Sequence, residues 1–95
     1  CNLNLGRIKG GKMVIKIKNR KFEEDLEYLL QKLHDTEEFV EAGMEYEEID
    51  GEYAIMLDGE EVSIETERSK ATIRTTNKNH PLIKEIIENV REVAK

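Results

Sequence analysis

Two Asp-Gly pairs, Asp50-Gly51 and Asp58-Gly59, constrain the fold of this chain more than any other feature. Asp-Gly suits a two-residue hairpin turn, which needs positive φ at both central residues: Gly has no Cβ to clash, and Asp tolerates the left-handed region. A turn at the first pair sets Tyr46 opposite Ile55 and Met44 opposite Leu57. A turn at the second sets Ile55 opposite Val62 and Tyr53 opposite Ile64. Each turn, taken alone, puts the same residues of the middle strand on the apolar face. A slip of one residue would send every side chain to the other face, so the agreement defines the register. A four-residue loop, Glu67-Arg68-Ser69-Lys70, then sets Ile64 opposite Ile73, and residues 44–76 read as a four-stranded antiparallel meander.

The flanking segments supply one more strand and the helices. Met13, Ile15 and Ile17 alternate with Val14, Lys16 and Lys18, the pattern of a half-buried strand. Asn19 stands where an N-cap is wanted, and Glu23, Glu24 and Asp25 follow near the positive end of a helix dipole. Phe22, Leu26, Leu29, Leu30 and Leu33 form one helical stripe. Asp35 with Glu38 reads as a capping box for a short helix running through Ala42, with Gly43 ending it. Residues 77–80 end the sheet, and Pro81 suits a first helical position capped by Asn79 or His80. Leu82, Ile83, Ile86, Ile87, Val90, Val93 and Ala94 then make a wide apolar face for a last helix.

The expected fold is α+β, in the order β-α-(short α)-β-β-β-β-α: one mostly antiparallel five-stranded sheet with two main helices packed on one face. Whether the first strand pairs with the first or the last meander strand stays open at this point. That order resembles the β-α-β4-α repeat of TATA-box-binding proteins and of some glycosylase accessory domains. The resemblance is topological: no sequence motif of those families is present, and the DNA-facing sheet of such repeats is not acidic as this one would be. Residues 1–12, with Gly6, Gly10 and Gly11 and no clear period, read as a flexible lead-in that need not be native. Residues 13–95 form the single domain.

Composition narrows the class. Hydrophobic and charged residues each make up 38% of the 95 residues, too apolar for a disordered tail and too polar for a membrane span. A single Cys excludes a disulfide within the chain and an all-Cys zinc site. The expectation is a cytoplasmic domain with no membrane association. Seventeen Glu, ten Lys and ten Ile against one Gln match a thermophile-like composition.

The net charge of −6 conceals a sharp partition. Residues 1–22 carry seven bases and no acid, residues 23–67 carry eighteen acids against Lys32 alone, and residues 68–95 carry seven bases and three acids. Such asymmetry signals either a binding surface or strands of opposite sign laid side by side.

Few motifs carry chemistry. Gly6 to Lys12 matches G-x4-G-K, but Met13 stands where Ser or Thr should bind magnesium, and a strand rather than a helix follows, so no phosphate cradle is expected. The outward rows of the meander are Glu45–Met56–Glu61, Glu47–Ala54–Ser63 and Ile49–Glu52–Glu65. Glu45, Glu47, Asp50, Glu52, Asp58, Glu60 and Glu61 form a pool of oxygen ligands from which a hard cation such as Ca²⁺ would draw three or four. The competing expectation is neutralisation: Arg74 pairs with Glu61 and Glu65, and Lys16 and Lys18 cover Glu45 and Glu47. Arg7, Lys9, Lys12, Lys16 and Lys18 make a basic stretch suited to phosphate contacts, though no aromatic residues interleave to stack on bases. His34 and His80 stand singly at helix ends, and a Cys–His nucleophile pair would need Cys1, in the flexible lead-in, to be held against one of them, so none is expected. The chain reads as a small non-catalytic binding domain whose partner is another protein, with exposed Met56, Ala54 and Ile49 amid Glu as the contact patch. A Ca²⁺-binding meander and a nucleic-acid-binding first strand are the alternatives.

Overall fold

The computed structural model describes residues 11–95. Its elements are β1 (Gly11–Lys16), α1 (Phe22–His34), α2 (Glu37–Glu41), β2 (Glu45–Ile49), β3 (Glu52–Leu57), β4 (Glu60–Glu67), β5 (Lys70–Thr75) and α3 (Pro81–Ala94). The five strands form one sheet in the order β1-β5-β4-β3-β2, and every neighbouring pair is antiparallel.

The meander register matches the turn chemistry throughout. Tyr46 faces Ile55, Ile55 faces Val62, Tyr53 faces Ile64 and Ile64 faces Ile73. Asp50 and Gly51 have φ of 50° and 82°, and Asp58 and Gly59 have 51° and 74°, the positive values such turns require. The last turn is tighter than expected. Glu67 pairs with Lys70, so only Arg68 and Ser69 form the loop, and Arg68 takes the left-handed φ of 51°. The register is the same for either loop length.

β1 starts two residues before the expected Met13, because Gly11 and Lys12 continue the backbone ladder opposite Thr75 and Arg74. Its place beside β5 answers the pairing question and puts it at the far edge from β2. Residues 1–10, the rest of the expected lead-in, lie outside the described residues.

The helix caps differ from expectation in two places. Asn19 does not cap α1: its Oδ1 accepts from the Lys21 N–H at 2.9 Å, and Lys21 itself occupies the N-cap. Its Nδ2 instead donates to Val93 O at 2.9 Å and to Asp25 Oδ2 at 2.8 Å. The backbone N–H groups of Lys18 and Asn19 both donate to Ala94 O, so the β1–α1 connection closes the carbonyl end of α3. Asp35 ends α1 rather than opening α2, whose N-cap is Thr36. The Thr36 hydroxyl donates back to Lys32 O at 2.9 Å and makes no cap bond to α2. At α3, His80 caps as expected, its Nδ1 accepting from Leu82 N–H at 3.1 Å.

The core lies between one face of the sheet and the helices. Leu26, Leu30, Phe39, Ile83, Ile86 and Val90 pack on Ile55, Leu57, Val62, Ile64 and Ile73, all fully or almost fully buried. Burying each such side chain contributes about 1.5–3 kcal/mol relative to exposure. The core cluster contains no residue from the opposite face of the sheet.

Candidate interaction surface

The alternation that sends Ile55, Ile64 and Ile73 inward sends their neighbours to an outer face. Its two central rows run Lys12–Arg74–Ser63–Ala54–Glu47 and Val14–Thr72–Glu65–Glu52–Ile49, from β1 to β2. A third, shorter row sets Lys16 beside Lys70 and Lys70 beside Glu67. Cations therefore gather on the β1–β5 side, and Glu45, Glu47, Glu52, Glu61 and Glu65 on the β4–β3–β2 side. Between them lie the small residues Ala54 and Ser63, only 2% and 1% exposed, so that Ala54 is buried where the sequence led to an exposed contact residue; Met56 beside them is half-buried, and Ile49 stands exposed.

Three directly opposed pairs on this face are of like sign: Lys12 with Arg74, Lys16 with Lys70, and Glu52 with Glu65. Like charges facing across a ladder are destabilising. Partial burial, reinforced by the Glu65 carboxylate, raises the Glu52 pKa, and Arg74 opposes that rise. Arg74 reaches Glu65 at 3.9 Å, the long end of an ion pair, and its expected pairing with Glu61 does not form. The expected cover of Glu45 and Glu47 by Lys16 and Lys18 is also absent, because β1 and β2 are opposite edges, separated by four strand spacings or about 19 Å.

The candidate cation ligands are dispersed. Asp50 and Asp58 sit in turns at opposite ends of β3. Asp58 Oδ2 lies 2.9 Å from His80 Nε2, and since His80 Nδ1 accepts the Leu82 N–H, the Nε2 hydrogen points at Asp58. Glu60 accepts from the Thr76 hydroxyl at 2.7 Å and from Asn77 Nδ2 at 3.3 Å. Glu61 is half-buried, its backbone N–H donating to Thr76 Oγ1. Glu45 and Glu47 stand exposed on the β2 edge, and Glu52 faces Glu65. Among the described residues no three acidic, His or Cys side chains come together as a metal site.

Of the basic stretch, Lys12 and Lys16 project from the outer face of β1, beside Arg74 and Lys70. Lys18 lies beyond β1, against the end of α3. Arg7 and Lys9, with Cys1 and the G-x4-G-K motif up to Gly10, lie outside the described residues.

Two features escape sequence reading. The Ser63 hydroxyl is buried and has no hydrogen-bond partner among the described residues, a cost of about 1–3 kcal/mol that depends on its neighbours and not on its own position. Between β1 and α3 runs a groove of about 350 Å³, floored by Met13 and Ile87, rimmed by Lys78, Lys84 and Arg91, and also touched by Asn79 and Glu88. The spacing of Lys84, Ile87, Glu88 and Arg91 on one helical face was its available signal.

Among the described residues no helix is long and apolar enough to cross a membrane. Comparison with known proteins finds no matching family model, no similar curated protein and no similar solved structure, so the likeness to TATA-box-binding repeats remains one of element order.

Proposed function

We propose that this chain is a non-catalytic interaction domain that receives another protein on the outer face of its sheet. One observation carries the reading: a five-stranded face outside the helix-packed core, cationic on one side and anionic on the other, with half-buried Met56 within the anionic side. Paired zones of opposite sign steer and orient a partner of matching pattern. Exposed Ile49 extends the apolar ground at the β2 side. The dispersal of the carboxylates favours this reading over Ca²⁺ binding, and the adjacent Glu rows weigh against a polyanion.

Photo-crosslinking from position 56 in cells tests it. A single dominant partner should be captured, and Glu45→Lys, on the exposed anionic side, should abolish capture while Tyr28→Ala, on the exposed helical side, leaves it intact. Capture unaffected by Glu45→Lys in a folded protein overturns the proposal.

A further inference from the structure

The two edges of the sheet are complementary to each other. β1 and β2 are joined through four antiparallel steps, so they run in the same direction. A second copy displaced sideways and turned to follow the sheet's own twist therefore brings its β2 alongside β1, parallel and with the rows in line. In that register Val14 meets Ile49 and Lys12 meets Glu47 on the outer face. Val14 is 54% exposed and Ile49 48%, and each ends the same row at its own edge. On the helix side, Glu48 comes beside Met13, where the Arg91 guanidinium already lies 3.1 Å from the Met13 sulfur and lines the basic groove. Tyr46 comes beside Gly11, which offers no side chain to obstruct it.

From this match we infer that copies of the chain associate edge to edge, β2 of one extending the sheet of the next at β1. Charged edges normally prevent strand addition. Here the charges block β1 from pairing with β1 and β2 with β2, since Lys would face Lys and Glu would face Glu, but they attract β2 to β1. The contact is head-to-tail, so it propagates as an open filament and does not close as a dimer. It uses the edges and holds whether or not the outer face receives a partner.

Sedimentation velocity on the full 95-residue chain, from about 10 µM to about 1 mM at low salt, tests the inference. The average mass should climb without a plateau, more than doubling over the range, and fall back towards monomer in about 0.5 M NaCl. Lys12→Glu and Glu47→Lys should each be monomeric, because each creates a like-charge contact. Mixed in equal amounts they should associate again, since every contact between unlike copies joins Lys to Glu. Circular dichroism establishes that both variants are folded. A wild type that stays monomeric, a plateau at dimer, or an inert mixture of the two variants overturns the inference.

Discussion

Two neighbours act on the Glu52 carboxyl with opposite sign. Desolvation and Glu65 raise its pKa, and Arg74 lowers it by a smaller amount. A carboxyl with a raised pKa in the folded state binds its proton more tightly there than in the unfolded chain. Its ionised form therefore penalises folding; the penalty is fully present above the raised pKa and is relieved as pH falls through it. Glu52→Gln should raise the urea midpoint at pH 7, and the gain should shrink as pH is lowered through the carboxylate range. A gain that is constant with pH would assign the effect to packing. Tyr53 shows the same physics on the buried face: desolvation first, then Glu27, Glu48 and Glu23, pushes its phenol up to about 12.

Asn19 ties three elements together, and this gives its substitution an effect out of proportion to its place in a connection. Its side chain joins the β1–α1 link to Val93 at the end of α3 and to Asp25 in the first turn of α1. Asn19→Ala should cost about 1–2 kcal/mol in urea unfolding, through lost hydrogen bonds and an uncovered α3 carbonyl. Asn19→Asp should recover little, because a carboxylate cannot donate to Val93 O. The sequence identified Asn19 as a capping residue but assigned it to the wrong helix, since its true acceptor is seventy-four residues away. Local chemistry was legible where it was sufficient. Two Asp-Gly turns set the meander register, and Pro81 set the start of α3, with the cap left between Asn79 and His80. The partner of β1 was not legible, because alternation at Met13, Ile15 and Ile17 suits either end of the meander equally. The site suffered most from that gap: whether the lysines lie beside the β2 carboxylates or at the opposite edge depends wholly on strand order.

Taken as a whole, the sheet gathers its outer cations at the β1–β5 side and most of its carboxylates at the β4–β3–β2 side, the two meeting at Arg74–Glu65 and Lys70–Glu67. Among the described residues, ion pairs of Lys or Arg with carboxylates are limited to Arg74–Glu65 and the exposed Lys95–Glu92. Repulsion within the cationic and anionic halves thus has little local compensation. At dilution low enough to hold the chain as monomer, its urea midpoint should rise as NaCl is increased from about 0.01 M to about 0.5 M, since screening relieves like-charge rows. A midpoint that falls with salt would show that attraction between the halves dominates.

The seat of β1 beside β5 also has a consequence in time. The three meander hairpins close over two-residue turns, whereas each β1–β5 pair joins residues more than fifty positions apart. Closing so long a loop forfeits more chain entropy than closing a tight turn, so the local hairpins form first and β1 docks late. In a chain made from its N-terminus, the first of these five strands to leave the ribosome is the last to find its neighbour. Until β5 emerges, β1 is a basic segment followed by an acidic one, and the half-built sheet has its β5 edge still to gain.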